Sequence, residues 1–324
     1  MRSRRVLISA LTGVALLGLN PATGAAQSYP ARPITLIVPF AAGGFNDVIV
    51  RIVAAHMSKT LGASIIVEND AGAGGTTATA RGAAAPADGY TLIAGSMGTH
   101  GAAPTQYPNL KYDPAKDFTP IGLTAEAPAV LVTRKDFPAN TLAEFVDYLR
   151  KNQGKVNEAH AGVGSQMHTY CTLLQSILGT KTARIAYRGG APAINDLVAG
   201  QVDFGCVSIN TVVSQIQGGT VKALAIASPE RAEVIRNVPT TAEAGLPEFQ
   251  VSGWNALFAP RNLPRDIQAK LSDALAKALV DTATAKRLEE IGCFIPFAAS
   301  RTPEALQARV EHEVARWSSV LKRE

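Results

Sequence analysis

Five glycine-containing segments of this chain each lie between an apolar run and the beginning of a helical pattern. They are residues 41–46, 72–77, 98–100, 162–165 and 188–191. A helix that begins directly after a strand presents backbone N–H groups without an intrahelical acceptor, and its macrodipole adds roughly half a positive charge at that end. A corner of this kind can bind an anion such as a carboxylate. Anion binding is therefore the first chemistry that the sequence predicts.

A single segment of this kind is weak evidence, because a tight turn from strand to helix needs glycine for steric reasons alone. Several of them in one chain are more informative. In α/β proteins the ligand lies at the carboxyl ends of the strands, which is where these segments are expected. Together they favour a ligand site over a set of unrelated turns.

The glycine segments do not match the nucleotide-binding patterns. Residues 72–75 (GAGG) lack the third glycine of a dinucleotide fingerprint, and no Gly-Lys-Ser/Thr sequence follows a glycine-rich loop. The sequence therefore excludes a P-loop and argues against a Rossmann cofactor. We predict that the protein uses no cofactor.

A catalytic alternative uses Ser165 or Cys171 with His168. His168 and Cys171 are three residues apart and would share one helix face, which suits a Cys–His nucleophile pair. Nothing in the sequence orients His168, and amphipathic packing explains both residues. Ser165 does not stand in the Gly-x-Ser-x-Gly elbow of a serine hydrolase. We interpret Ser165 as a helix N-cap whose hydroxyl can also contact a ligand.

Arg188 and Trp254 each allow a functional and a structural interpretation. Arg188 stands between an apolar strand and two glycines, where its planar guanidinium could bind a carboxylate in a cleft. A structural ion pair with Asp196 or Asp203 is an equally good explanation. Trp254 lies in an extended run and could line a pocket, but the pattern favours a place in the core.

The cysteines and histidines do not predict a metal site. Cys171, Cys206 and Cys293 are odd in number and unpaired in spacing, so at most one disulfide can form. We predict that they are small buried residues. The five histidines are scattered, with neither a His-Glu-x-x-His nor a His-x-His pattern.

The amino-terminal residues predict export. Arg2, Arg4 and Arg5 precede an apolar run over 6–19 and small residues that end near 26, which is the pattern of a cleavable signal peptide over 1–26. A retained anchor is the alternative. The 324-residue chain has a net charge of +5, and removal of these three arginines leaves 28 basic against 26 acidic residues. A net charge of +2 gives no reason to expect a nucleic-acid partner.

The composition, 47% hydrophobic and 18% charged, fits a folded globular protein of about two domains. Strands are predicted at 34–40, 64–67, 90–94, 121–123, 129–133, 156–161, 183–187, 202–207, 221–227, 251–259 and 294–297. Helical patterns alternate with most of them. This alternation predicts an α/β protein with mostly parallel sheets and helices on both faces.

Several helix ends are also predicted. The first helix has an N-cap at Asn46 or Asp47 and a stop at Gly62, and a capping box opens another at 141–144. Residues 102–120 contain four prolines and predict irregular surface chain. The last helix carries a single apolar stripe, formed by Leu306, Val310, Val314, Trp317 and Leu321.

Ordered motifs along nearly the whole chain resemble those of the Bug family, the extracytoplasmic receptors of tripartite tricarboxylate transporters. The motifs are YPARPITLIVPFAAGG at 29–44 with Asp47 and Arg51, PADGYTL at 86–92, YDPxKDF at 112–118, GSxxH at 164–168, YRG at 187–189, VPTxxExG at 238–245 and GWxxLFAP at 253–260. The chain differs from the family in having Val50 where alanine is common. In family members, Asn or a similar polar residue often follows the Gly-Thr-His stretch, whereas this chain has Ala102 to Pro104 there.

The resemblance implies a periplasmic binding protein of the type II-like fold, with two doubly wound α/β domains and a ligand cleft between them. After the signal peptide 1–26, the first domain would comprise 27–128 and 251–324, and the second 129–250. It implies a ligand site made of turns from both domains. Carried onto this chain, its residues are Phe40, Ala41, Ala42, Gly43, Gly44, Asn46, Gly98, Thr99, His100, Gly164, Ser165, His168, Arg188, Gly189, Gly190 and Ala191.

The function that follows is a periplasmic receptor, not an enzyme, that captures a small carboxylate and delivers it to a membrane permease. A dicarboxylate is favoured because donor-rich turns come from both domains. Tricarboxylates, amino acids and aromatic acids such as terephthalate stay open. A receptor that hands its ligand to a permease is expected to be a monomer. The alternative is a periplasmic hydrolase that uses Ser165 or Cys171 with His168.

Overall fold

The computed structural model describes residues 29–321 of the chain. The predicted signal peptide, residues 1–26, lies outside the described residues. The strands in the described part are β1 Ile34–Val38, β2 Ile65–Asn69, β3 Thr91–Ser96, β4 Phe118–Arg134, β5 Asn157–His160, β6 Ala183–Ala186, β7 Phe204–Ser208, β8 Val221–Ile226 and β9 Ser252–Pro260. The predicted α/β class is confirmed.

The helices described between residues 29 and 321 alternate with these strands. They are α1 Phe45–Leu61, α2 Thr76–Ala83, α3 Ala103–Gln106, α4 Leu142–Lys151, α5 Gln166–Leu178, α6 Gly190–Val198, α7 Val213–Gln217, α8 Arg265–Val280, α9 Thr282–Glu290 and α10 Pro303–Leu321. A π-helical turn, Gly98–Ala102, precedes α3. None of the helices in this range is both long and apolar enough to cross a membrane.

The strands form one mixed sheet in the order β2-β1-β3-β9-β4-β7-β5-β6, and β8 also pairs with β4. Pairing is parallel at both ends of the sheet, but β9 runs antiparallel to β3 and β4, and β4 runs antiparallel to β7 and β8. The prediction of mostly parallel sheets is therefore wrong for the centre. An apolar run in the sequence does not show whether its strand will pair parallel or antiparallel. β9 lies late in the chain and pairs antiparallel with β3 and β4, which precede it by more than 100 residues.

The long strand β4 divides the sheet into two parts. Its residues 118–128 pair with β9, whereas residues 129–134 pair with β7 and β8. We call β1, β2, β3, β9 and the first part of β4 the first lobe, and β5 to β8 with the rest of β4 the second lobe. The change of partners falls at the predicted boundary between residues 128 and 129. The division into two domains itself stays a prediction.

Several local predictions are confirmed. Gly62 ends α1 in the left-handed conformation, where glycine carries no Cβ penalty. The Thr141 side chain accepts from the Glu144 N–H, as the capping box requires. The apolar stripe of α10 is also confirmed, because its residues Leu306, Val310, Trp317 and Leu321 are buried.

Other local predictions are wrong. The N-cap of α1 is Gly44 rather than Asn46 or Asp47. The two short strands predicted at 121–123 and 129–133 form one continuous strand, β4. Residues 102–120 include α3 and the beginning of β4. The strand predicted at 294–297 is reduced to an isolated bridge between Phe294 and Glu126, which leaves Phe294 half exposed.

A disulfide corrects the prediction for the cysteines. Cys171 of α5 and Cys206 of β7 are bonded, with their Cα atoms 5.4 Å apart. Cys293 is a free, buried thiol. The bridge ties the helix that follows β5 to the neighbouring strand of the second lobe. Spacing in sequence cannot reveal it, because the fold alone brings residues 35 positions apart together.

Candidate functional site

Three helices begin at one cavity between the lobes. The N-cap residues of α1, α5 and α6 are Gly44, Ser165 and Gly189. The space at this site, including the part that is open to solvent, is about 380 Å³. Its lining residues are Phe40, Gly44, Phe45, Asn46, Ala161, Ser165, Gln166, Met167, Gly190, Ser208 and Thr211. The first turns of all three helices therefore face the same volume from two sides.

The first-turn N–H groups give the cavity its donor character. In any helix the first N–H groups have no intrahelical acceptor. Ser165 satisfies one of them, because its Oγ accepts from the His168 N–H at 3.3 Å. The N–H groups of Gln166 and Met167 in the first turn of α5, and those of Phe45 and Asn46 in the first turn of α1, also have no intrahelical acceptor. These donors and the three helix dipoles make the cavity favourable for an anion.

The side chains of the cavity add polarity without charge. Ser165, Gln166, Ser208 and Thr211 belong to the second lobe, and Asn46 belongs to the first. Among the residues that the structure describes, no Arg, Lys, His, Asp or Glu lines this cavity. Its preference for anions therefore comes from fixed backbone dipoles and neutral donors, which do not titrate near neutral pH.

A polar cluster behind α1 fixes the turn that leads into the cavity. Asp47 accepts from the Gly43 N–H at 2.8 Å and from Arg51 Nε at 2.9 Å. Asn69 at the end of β2 donates to Asp47 and to the Phe40 carbonyl. Burial acts to raise the pKa of Asp47, but these hydrogen bonds outweigh it and hold the pKa below its usual range. The ionised carboxylate thus anchors the turn from Phe40 to Gly44.

The two lobes touch directly at the cavity. The Ala41 N–H donates to the Arg188 carbonyl at 3.3 Å, and Asn210 Nδ2 donates to the Phe45 carbonyl at 3.3 Å. A Cβ on Gly189, whose φ is 147°, would lie 3.0 Å from the Ala41 nitrogen. Glycine at this position therefore lets the two turns approach closely.

The predicted ligand residues take three kinds of position. Phe40, Gly44, Asn46, Ser165 and Gly190 line the cavity. Beside them are the rim and flanking residues of the same turns, namely Ala41, Ala42, Gly43, Gly164, Gly189 and Ala191. The remaining predicted residues, His168, Arg188 and the segment 98–100, do not line the cavity. Gly98 nevertheless packs against the start of α5, where a Cβ on it would lie 2.7 Å from the Gly164 carbonyl oxygen and 3.1 Å from the Gln166 nitrogen.

Arg188 lies at an outer crevice next to the cavity. The crevice is open to solvent, spans about 870 Å³ and shares Phe40 and Ala161 with the inner cavity. The structural ion pair considered for Arg188 is not formed, since Asp196 accepts from the Tyr187 hydroxyl and Asp203 pairs with Arg134. Arg188 is exposed and lines the crevice.

The segment 98–100 is packed into the interior. Thr99 and His100 are fully buried, and the His100 ring stacks on Phe258 with a centroid distance of 4.1 Å. Burial lowers the pKa of His100 to about 3, so the ring is neutral. The His100 side chain therefore belongs to an aromatic core that also contains Tyr112 and Phe118.

The geometry does not assemble the nucleophile pairs of the hydrolase alternative. His168 Nδ1 lies 3.1 Å from the Gln106 amide, and its Nε2 lies 3.4 Å from Arg184 Nη1. Ser165 Oγ contacts the backbone N–H of His168 rather than its ring. The Cys171 version is corrected by the disulfide, which leaves no thiolate to attack. Burial, together with His160 and Arg184, lowers the pKa of His168 to about 3.

Sequence reasoning missed about half of the cavity. The missed residues are Ala161, Gln166, Met167, Ser208 and Thr211, whereas Phe45 lies within the predicted segment 41–46. Ser208 and Thr211 could have been found, because polar residues follow the apolar strand predicted at 202–207. Trp254 is fully buried, which confirms its predicted place in the core.

Comparison with known proteins agrees with this architecture. The sequence profile of the tripartite tricarboxylate transporter family receptors matches residues 49–324. The solved structure of MatC from Rhodopseudomonas palustris with bound malate is 45% identical, covers 90% of this chain and 99% of its own, and superposes with a TM-score of 0.88. The periplasmic binding protein BugD is 38% identical, with coverage of 91% and 98% and a TM-score of 0.87.

A third structure, R. palustris Rpa4515 with adipate, is 32% identical over 91% of this chain and 97% of its own, with a TM-score of 0.86. The predicted type II-like fold of periplasmic binding proteins, with a ligand cleft between two α/β parts, is thus confirmed. The match of the family profile extends from α1 to the end of the chain. This chain belongs to the receptor family of tripartite tricarboxylate transporters, to which its Bug-like motifs had assigned it.

Proposed function

We propose that this protein is an extracytoplasmic solute-binding receptor that captures a small carboxylate and delivers it to a tripartite tricarboxylate-type membrane permease. One observation carries the proposal: α1, α5 and α6 all begin at a single cavity whose described lining has no charged side chain. Helix N-termini bind anions through N–H donors and the macrodipole. A carboxylate group is the anion that such a cavity suits.

The favoured ligand is a di- or tricarboxylate. The first lobe contributes the start of α1 and the second lobe contributes the starts of α5 and α6, so an acid with two carboxylates can bridge them. MatC with malate and Rpa4515 with adipate are relatives with dicarboxylates bound. Binding to both lobes at once favours the closed arrangement, because each lobe supplies only part of the donor set. An aromatic diacid such as terephthalate also has two carboxylates.

The ligand-binding residues that we propose are those of the predicted turns at 40–46, 164–165 and 188–191, together with Gln166, Ser208 and Thr211. We further propose that residues 1–26 direct export to the periplasm and that the receptor acts there as a monomer. The Cys171–Cys206 disulfide is consistent with an oxidising compartment. The bound acid is released chemically unchanged.

A ligand screen tests the proposal. Purified mature protein is heated with malate, adipate, citrate and terephthalate, and with the corresponding neutral diamides or esters as matched controls. We expect acids to raise the melting temperature and the neutral analogues to leave it unchanged, because binding to the native state alone stabilises it. Chromatography of the recovered acid should show no product. Stabilisation by neutral sugars or cations alone would contradict the proposal.

A further inference from the structure

Two side chains at the end of α3 cross from the first lobe to the second outside the cavity. The Tyr107 hydroxyl donates to the Val163 carbonyl at 2.5 Å. The Gln106 amide lies 3.1 Å from Nδ1 of His168. Neither residue lines the inner cavity, and neither belongs to the ligand set proposed above.

The Tyr107 ring lies directly on the backbone of the second lobe. A Cβ on Gly164 would lie 2.7 Å from Cε2 of this ring, which no side chain could tolerate without a shift. Gly164 has a φ of 80°, so glycine is favoured there both by its conformation and by the contact. Gly74, beside the same contact, would place a Cβ 1.8 Å from the Val163 oxygen. The turn 162–165 is thus pressed between Tyr107 and the turn before α2.

This contact bears on the start of α5. The turn 162–165 ends at Ser165, the N-cap of α5, and the next two residues line the cavity. Tyr107 holds Val163 just before the cap, and Gln106 holds His168 in the first turn after it. The N-terminus of α5 is therefore held on both sides by one short segment of the other lobe.

The His168 contact requires a neutral ring. Arg184 can only donate, so Nε2 of His168 accepts and Nδ1 carries the proton. In the structure the amide nitrogen of Gln106 is the atom 3.1 Å from Nδ1, and the amide oxygen is buried without a partner. Exchanging the amide nitrogen and oxygen lets the Nδ1–H donate to this oxygen and gives it a partner. The His160 ring packs on the His168 ring with a centroid distance of 4.9 Å. It brings no carboxylate that would favour a charged His168.

We propose that Gln106 and Tyr107 form an interlobe latch that positions the N-terminus of α5 and slows the release of the ligand. The part of this proposal that concerns ligand release depends on the proposed function. The effect of the latch on the distance between the lobes does not depend on any ligand. Neither residue lines the inner cavity, so the latch sets how long an acid stays bound rather than which acid binds.

The first test is made without ligand. Tyr107→Phe removes the hydroxyl that reaches Val163 and keeps the ring. Tyr112→Phe is the matched control, because its hydroxyl donates to the Thr99 carbonyl at 2.7 Å within the first lobe. Small-angle X-ray scattering should show a larger radius of gyration for Tyr107→Phe than for the wild type, and no increase for Tyr112→Phe. Equal radii for Tyr107→Phe and the wild type would overturn the latch.

The second test uses the acid that stabilises the wild type most in the thermal screen. Stopped-flow measurements should show release about two- to tenfold faster for Tyr107→Phe, the range that loss of one hydrogen bond allows. Its order of preference among acids should be unchanged. Gln106→Leu should act in the same direction. Unchanged release rates in both variants would overturn the latch, whereas failure of every acid to bind the wild type would refute the proposed function and leave the scattering result to decide.

Discussion

Two turns of the first lobe follow neighbouring parallel strands and look alike in sequence, yet they do different things. The turn after β1 leads through Gly44 into α1 and opens onto the cavity. The turn after β3, Gly98–Ala102, is completely buried. Its His100 stacks on Phe258 of β9, and its Gly101 lies against Trp317 of α10. Whether a glycine turn can bind a ligand therefore depends on which side chains pack over it, and not on its own composition.

The difference has an electrostatic side. At the cavity, polarity is supplied by fixed N–H donors, and the anchoring carboxylate of Asp47 is kept ionised behind the turn. In the buried turn the one titratable ring, His100, is kept neutral by desolvation. We therefore expect mutations at the buried turn to change stability and mutations at the cavity to change affinity.

The largest expected effect is that of His100→Ala. It removes a ring packed among Tyr112, Phe118 and Phe258, and truncation of a large buried ring costs about 3 kcal/mol of unfolding free energy. Urea denaturation measures this loss. Ligand affinity, measured by calorimetry well below the melting temperature, should stay within about twofold because the ring packs on Phe258 and does not line the cavity. A tenfold loss of affinity would break the comparison.

Thr211→Asp should have the next largest effect. It should lower ligand affinity without lowering stability. A carboxylate on the cavity wall repels a bound acid, and at an effective dielectric constant near 20 the repulsion corresponds to about 100-fold in Kd. Thr211→Asn, similar in shape but neutral, is the control and should stay within about fivefold. The helix dipoles should favour the new carboxylate, so the ligand-free melting temperature should not fall. Equal affinities for the two variants would exclude an anion site at this wall.

The third prediction concerns pH. His100 has a pKa near 3 in the folded protein and about 6.5 when unfolded, so the unfolded state binds the extra proton between these values. The stability from its neutral form is fully present above pH 6.5 and is lost as the pH falls toward 3, by up to about 1.4 kcal/mol per pH unit. His100→Phe should show a shallower loss between pH 6 and 4. Parallel stability curves for variant and wild type would contradict this.

The smallest expected effect is that of Arg188→Ala at the outer crevice. If the guanidinium attracts the acid from the crevice mouth, Kd should rise about fivefold without a change in melting temperature. Arg150→Ala, an exposed arginine on α4, is the control and should have no effect. Arg188→Lys should recover part of the loss. If calorimetry finds the same Kd for Arg188→Ala and the wild type, Arg188 does not contribute to binding of the acid.

Much of the local structure could be predicted, because it depends on short-range chemistry. Glycine at 62 and the capping box at 141–144 act within one helical turn. The cavity was predicted in part for the same reason, since Gly44, Ser165 and Gly190 begin helices. The partners of β9, the Cys171–Cys206 bridge and the contact of Tyr107 with Val163 could not be predicted, because each joins distant parts of the chain.

The sequence by itself determined the α/β class, the family and the places where helices begin after strands, because periodicity, caps and ordered motifs are all local signals. Only the tertiary structure decided which of those helix starts share a cavity. That selection depends on β9 and α10, which come from the end of the chain and cover the turn at 98–102 while leaving the starts of α1, α5 and α6 open to one another. A helix start binds an anion only where nothing else packs against its N–H groups.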